Sequence, residues 1–379
     1  MKVFFYALFF HLTLNIYVFW RGWQILKHRK MLRGLFATVF IIEFLVYLTG
    51  LLFRKHLSYS AIQNIGFIGT TWMLFLIYMS MTLLVIDTVF WINKRRPFLP
   101  RLVKRRPNRA RGTLFIVSIL VVSVVLWRGN MKFNNPVVEH YEIHIAKSAN
   151  DIDSLRIAMI GDTHFGYLIN KGFAHQYVSL IMAQKPDLIL FTGDMIDAEL
   201  TPFMMANIGE ILAELHAPLG VFACTGNHEY RYDAEVKIQW LNDVGITVLR
   251  DSAVLINNAF YIIGREDVEA PFERKTLQEI ITQQQIDTSK PMIVLNHNPL
   301  FMDEEIATNV DLLLSGHTHR GQFFPGNIVT DLKFSISHGH RKFGNTNIVV
   351  TSGLGLSGPQ YRIGSQSEIV VLNVKFGQR

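Results

Sequence analysis

Five short clusters in the second half of the 379-residue chain put carboxylate, imidazole and amide side chains on turns, four of them beside glycine. They read Gly161-Asp162-Thr163-His164, Gly193-Asp194-Met195-Ile196-Asp197, Gly226-Asn227-His228-Glu229, Asn296-His297-Asn298-Pro299 and Gly316-His317-Thr318-His319. Carboxylates and imidazoles hold divalent cations through oxygen and nitrogen, and glycine lets the backbone approach closely. A single Asp-x-His is weak evidence, because such a pair is more often a solvated turn. Five clusters, each directly after a short apolar run, point to one metal site assembled along a sheet edge.

The apolar runs that deliver these clusters read as strands at 155–160, 187–192, 220–225, 292–296 and 311–315. Two more follow at 347–351 and 368–374, and an alternating strand precedes them at 137–146. Helical periods occupy about 173–184, 203–215 and 234–244. Short buried strands alternating with helices predict an α/β fold with a layered sheet. There is no internal repeat or low-complexity tract. The lone cysteine, Cys224, lies in an apolar run and reads as a buried structural residue, since one thiol makes neither an internal disulfide nor a Cys-rich zinc site.

The first 136 residues have a different texture. They hold 19 of the 37 Lys and Arg but only two acids, Glu43 and Asp87, whereas the rest of the chain carries 18 basic and 28 acidic residues. The net +7 is therefore the sum of a basic, apolar part and an acidic, globular part, which argues against nucleic-acid binding. Four apolar segments, at 3–20, 34–53, 66–92 and 113–127, predict a transmembrane region. The fourth, about 15 residues long, is marginal for a span. No small-residue cleavage site follows the first, which favours an uncleaved span over a signal peptide. Lys and Arg number 5, 2, 9 and 2 after successive segments, so the first and third loops read as cytoplasmic. Both termini and the domain at 137–379 then lie outside, provided that 113–127 spans. The loop at 94–111, with three prolines, reads as a connector near anionic lipid. Glu43, near mid-span, reads as a helix contact with no partner nameable from sequence, and Asp87 as structural near the basic end of its segment.

The ordered blocks D-x-H, G-D-x-x-D, G-N-H-[DE], H and G-H-x-H resemble the calcineurin-like metallophosphoesterase superfamily over roughly residues 155–374. The runs Gly316-His-Thr-His-Arg-Gly-Gln322 and Ser352-Gly-Leu-Gly-Leu-Ser-Gly-Pro-Gln-Tyr-Arg362 resemble its membrane-associated branch, in which glycine is commoner at the position of Arg320. The resemblance implies a four-layer α-β-β-α sandwich after the transmembrane region. It implies one metal held by Asp162, His164, Asp194 and His319, and a second held by the bridging Asp194 with Asn227, His297 and His317. His228 would stand at the substrate and protonate the leaving alkoxide, and the nucleophile would be a bridging hydroxide. Oxygen and nitrogen donors without thiolate admit Mn, Fe, Zn or Mg, with manganese preferred on the resemblance. Asp197 is expected to orient a ligand, and Glu229 either pairs with a histidine or is exposed. Arg320 and Arg362 are candidates to face phosphate; His338 and His340 read as solvated loop, and His140 and His144 as structural. The expected activity is hydrolysis of a monoester or diester, on a membrane-associated or lipid-linked phosphate. The alternative is a membrane receptor or scaffold that keeps the fold without catalysis.

Overall fold

The computed structural model describes residues 2–53, 56–197 and 199–377. The chain forms two compact units. One covers the residues up to Asn130 together with Gly358–Gln360; the other runs Met131–Ser357 and resumes at Tyr361.

The first unit is helical: α1 (Lys2–Ile25), α2 (Lys30–Leu52), α3 (Tyr59–Arg95), the short α4 (Arg101–Arg105) and α5 (Pro107–Asn134). Among the described residues, α2, α3 and α5 are long and apolar enough to cross a membrane. The 24 residues of α1 also exceed the roughly 20 that a hydrocarbon core requires. The segment read as 15 marginal residues is the middle of α5, a 28-residue helix that opens on Pro107 at its first position. Its flanking Arg109, Arg111, Arg128 and Lys132 can extend toward head groups while their stems stay on the helix.

Each acid inside these spans has a partner. Glu43 meets His11 at 3.4 Å with both groups buried, and the His11 ring stacks on Tyr47 with centroids 3.9 Å apart. Asp87 is paired with Arg21 and accepts the Tyr17 hydroxyl at 2.7 Å. Trp72 Nε1 donates to Asn15 Oδ1 at 3.1 Å. Arg54 and Lys55, the basic residues counted in the second loop, lie outside the described residues.

The second unit contains two six-stranded sheets. Along the chain its elements are β1 (Val137–Ile145), β2 (Ser154–Ile160), α6 (Lys171–Met182), β3 (Leu188–Phe191), α7 (Pro202–Leu212), β4 (Val221–Cys224), α8 (Ala234–Asp243) and β5 (Thr247–Leu249). Then come β6 (Ser252–Ile256), β7 (Phe260–Gly264), α9 (Leu277–Gln283), β8 (Met292–Leu295), α10 (Asp303–Ala307) and β9 (Leu312–Ser315). The chain closes with α11 (Gly326–Lys333), β10 (Gly339–Phe343), β11 (Thr346–Val350) and β12 (Glu368–Phe376). The strand orders are β1-β12-β2-β3-β4-β5 and β10-β11-β9-β8-β7-β6. Strands β2 to β5 run parallel in the first sheet, and β7, β8, β9 and β11 in the second.

Side-chain alternation along each strand explains the layering. Ile157 and Met159 of β2 join Leu295, Leu312 and Leu314 in the core between the sheets. Ala158 and Ile160 point the other way, into the layer with Tyr177, Ile181 and Leu212 of α6 and α7. On the far side Val294 and Leu313 pack on Leu277 and Ile280 of α9. Strands buried on both faces read as unbroken apolar runs, and this is why 155–160 and 311–315 stood out in the sequence. The order of layers is α-β-β-α, as the resemblance implies. Strands β5, β6 and β10 had no such signal, being short, partly exposed or edge elements; β7 is a buried interior strand that the sequence reading missed.

Candidate metal centre

Every cluster follows a strand end. Asp162 and His164 follow β2, Asp194 and Asp197 follow β3, and Asn227, His228 and Glu229 follow β4; His297 follows β8, and His317 and His319 follow β9. The first three strands belong to one sheet and the last two to the other, so the clusters meet where two sheets face each other. The expectation of a single sheet edge is corrected. After the third cluster the chain pairs as β5 with the first sheet and then enters the second through the β6–β7 hairpin, whose residues carry no chemical signature.

Asp162, His164 and His319 offer donor atoms that lie within 4.8 Å of one another, and so do Asp194, His297 and His317. A third such set, His164, Asp194 and His228, joins the two. Asn227 Oδ1 stands 3.3 Å from His297 Nε2 and 3.1 Å from His317 Nδ1. Asp194 is central: its Oδ2 lies 3.3 Å from His297 Nε2 and 3.8 Å from His164 Nε2. All seven residues expected to ligate metal are therefore brought together, with Asp194 between the two groups.

The donors fit divalent cations. Imidazole nitrogens approach each other at 3.2 Å in two places, His164 Nε2 to His319 Nε2 and His317 Nδ1 to His297 Nε2. Ligand atoms about 2.1 Å from a shared ion and at right angles are about 3 Å apart, the same spacing. Ring nitrogens at this distance either share a hydrogen bond, one ring donating and the other accepting, or turn both lone pairs to a common cation. The residues therefore match the metals that the blocks imply.

Holding these groups strains the backbone. Asp162, His164, Asp194, His317 and His319 all have positive φ, between 46° and 66°. For side chains other than glycine this region costs on the order of 1 kcal/mol or more and concentrates at functional sites. Backbone hydrogen bonds stabilise the arrangement: His317 N–H donates to Asp162 Oδ1 at 3.0 Å and His228 N–H to Asp194 Oδ1 at 2.8 Å. Glycine is required at 226 and 316, because a Cβ there would overlap the carboxylates of Asp194 and Asp162.

Burial acts on every ionisable group, and their mutual charges then divide them. Burial would raise the Asp194 carboxyl, but His297, His164 and His228 hold it well below the usual carboxylate range. Burial would lower His297, and Asp194 raises it well above the usual imidazole value. His317 is pushed down to about 4 by burial and by His297, and His319 falls well below its ordinary value through burial and His164. His317 and His319 are thus held neutral, the form that ligates metal.

The surrounding residues position these groups. Asp197 Oδ1 faces His228 Nδ1 at 2.8 Å and His164 Nδ1 at 3.3 Å, so one carboxylate orients two imidazoles. Glu229 is buried; neither exposed nor paired with histidine, it accepts the backbone N–H groups of Asp194, Met195, Ile196 and Gly226 at 2.7–3.1 Å. It ties the second cluster to the third. The available signal was an acid in a glycine turn between two groups of ligands, where loop N–H donors need an acceptor. Lys237 of α8 was missed, because lysine in a helical period reads as solvent-facing; its Nζ is buried and donates to the carbonyls of His228 and Arg231, each at 2.7 Å.

Arg362 is not available to phosphate. It is fully buried, and its guanidinium donates to the carbonyls of Gly353, Gly355 and His319, bracing the loops under the site. Loop carbonyls compete for arginine donors as phosphate does, and sequence does not distinguish the two. Arg320 is exposed immediately after His319. His338 is paired with Glu368 at 3.0 Å, and His340 Nε2 lies 3.2 Å from Asn347 Oδ1, so neither is a free loop histidine.

The sequence profile of the calcineurin-like phosphoesterase family matches residues 155–321, which span all five clusters. An uncharacterized metallophosphoesterase of Aquifex aeolicus is 33% identical over 242 residues, covering 63% of this chain and 91% of that protein. A Campylobacter jejuni protein of the same description is 29% identical over 377 residues, 95% of each chain. A transmembrane protein with metallophosphoesterase domain from Danio rerio is 28% identical over 69% of this chain and 62% of its own length.

Proposed function

The chain belongs to the calcineurin-like phosphoesterase family, and we propose that it hydrolyses phosphoester bonds at a two-metal site facing a membrane surface. The observation that carries this reading is the convergence of Asp162, His164, Asp194, Asn227, His297, His317 and His319 from two sheets. Asp162, His164 and His319 would hold one ion, Asn227, His297 and His317 the other, and Asp194 both. Bound divalent ions, manganese in the first instance, would neutralise phosphoryl oxygens and supply a nucleophilic water at neutral pH.

The protein's own groups do the rest. The one carboxylate shared between the two groups keeps the site's negative charge low, and neutral Asn227 adds none that would repel phosphate. His228 is anchored at Nδ1 by Asp197, which leaves Nε2 on the side of Asp194, 4.0 Å from its Oδ2. From there it donates a proton to the departing oxygen. Exposed Arg320, beside His319, attracts the anionic substrate. The apolar helices of the first unit support a substrate presented at the bilayer, a lipid-borne phosphomonoester or diester. The 28-residue length of α5 supports four spans, a number that with basic first and third loops favours a catalytic unit outside the cytoplasm.

The test is turnover of bis-p-nitrophenyl phosphate by the full-length chain in detergent with added Mn²⁺, with metal content measured on the same sample. Metal bound without turnover of this or a monoester substrate would favour the silent receptor instead. A reporter fused after Arg379 should behave as extracytoplasmic, and a cytoplasmic signal would overturn the assigned side.

A further inference from the structure

The exposed large apolar side chains of the second unit are unevenly distributed. Among the described residues, only Met131, Val137, Val236 and Leu255 lie away from the loops that follow β4, β7, β8 and β9, the strand ends around the candidate site. A soluble surface scatters such residues singly; a rim of them around a polar site marks an interaction surface. The densest part is α11, a helix with its apolar side turned outward. Ile328, Val329 and Leu332 are 48%, 61% and 82% exposed, and no residue of the helix is buried. At spacings of i, i+1 and i+4 they share one face.

This helix is fixed to the site. Gly321, with φ +70°, approaches the backbone of Gly326 so closely that a Cβ would overlap it. Phe334, directly after the helix, packs edge-on against the His317 ring with centroids 6.4 Å apart. Asp331 accepts the Ser337 hydroxyl, and the Ser337 carbonyl accepts the Thr318 hydroxyl at 2.6 Å. Whatever covers Ile328, Val329 and Leu332 therefore lies beside the loop that carries His317 and His319.

We propose that α11 seats its apolar face in the head-group layer of the bilayer that the chain itself spans, so that the candidate site opens onto lipid. Two features favour lipid over a protein partner. Only Asn135 and Pro136 separate α5, a helix long and apolar enough to cross a membrane, from β1, so no long linker intervenes between that helix and the first sheet. The segment 316–343 also carries Arg320, Lys333, Arg341 and Lys342 against Asp331, a basic excess within an otherwise acidic half of the chain. Apolar side chains flanked by cations suit an interface containing anionic lipid.

Seating of α11 stands by itself; only the turnover measurement below rests on the hydrolase reading. The full-length Leu332→Cys variant can be labelled at one position with bimane, since the native Cys224 is buried. In nanodiscs of phosphatidylcholine and phosphatidylglycerol, the label should be quenched by lipid bearing a nitroxide on its acyl chain and shielded from iodide. The control is Leu255→Cys, a 39% exposed position on β6, which should be quenched by iodide alone. Iodide access at 332 equal to the control overturns the proposal. So does self-quenching at 332 that disappears on dilution with unlabelled protein, which would indicate a second copy on this face. Serine at 328, 329 and 332 together should lower the ratio of turnover on a nanodisc-borne p-nitrophenyl phospholipid to turnover on soluble bis-p-nitrophenyl phosphate by about tenfold, the loss expected when an interfacial anchor is removed. An unchanged ratio contradicts the proposal, whereas absence of turnover on both substrates by the unmodified protein defeats the hydrolase reading and leaves the quenching result to decide.

Discussion

In the membrane-spanning unit polar groups meet in pairs or small local sets, Glu43 with His11, Asp87 with Arg21 and Tyr17, Asn15 with Trp72. In the second unit seven chemically similar side chains crowd together, and the strain of doing so appears as positive φ at five of them. The two arrangements answer different demands. Inside a bilayer an unpaired charge is costly, so the cheapest solution is a partner on the neighbouring helix. A metal site needs like groups to converge, which is unfavourable until cations arrive, so the fold must supply the rigidity. Backbone N–H groups, Glu229 and Asp197 provide it.

Perturbing the shared group should do the greatest damage. Asp194→Asn should lower turnover on the order of a thousandfold and reduce occupancy of both metals, because one carboxylate serves both groups. Retained activity with full metal content would remove the bridging assignment. Next, His228→Ala should keep both metals yet lower kcat about a hundredfold, more for substrates with poor leaving groups. A uniform loss across leaving groups would deny it the role of proton donor.

Glu229→Gln tests the scaffold. Setting an amide against four backbone N–H donors should cost about 2–3 kcal/mol of stability and weaken metal binding tenfold or more. Thermal unfolding with and without Mn²⁺ would measure it, and a variant of unchanged stability would show that the clamp is dispensable.

Proton linkage gives a finer probe. His297, lowered by burial but raised well above the usual imidazole value by Asp194, must release its proton to ligate, whereas His317, with a pKa near 4, is already neutral at pH 7. Mn²⁺ binding should therefore release protons and tighten as pH rises through neutrality. Calorimetry in buffers of different ionisation enthalpy would count them, and no release at pH 7 would contradict the assignment of His297. The metal-free fold has its own signature. Unfolded histidine takes up a proton near 6.5 and folded His317 only near 4, so its contribution to stability is complete above about 6.5 and is lost as pH falls toward 4.

The smallest effects are expected in the membrane unit. Replacing Glu43 alone should destabilise by leaving the buried His11 without its polar partner, whereas exchanging both for leucine should be close to neutral. Turnover should stay within about twofold in either case, since no metal-site residue depends on this pair. A large catalytic loss in the double variant would show that the units are coupled.

The ligand residues were legible in the sequence because each follows its strand within a few positions, and strands buried on both faces are conspicuous apolar runs. Four hydrophobic segments were legible for the same reason, as local composition. What lay beyond the sequence depends on contacts between distant residues. His11 and Glu43 are 32 positions apart and Arg21 and Asp87 are 66; neither pairing leaves a periodic trace. Glu229 and Lys237 look like ordinary polar residues until the loops close on them, and Arg362 could face a phosphate or three carbonyls with equal chemical plausibility. Local pattern thus determined which side chains could bind metal and which segments could enter a membrane. Tertiary structure alone decided that the ligands meet between two sheets, which residues hold them there, and that α11 presents its apolar face outward, because each depends on which surfaces remain after the layers have packed.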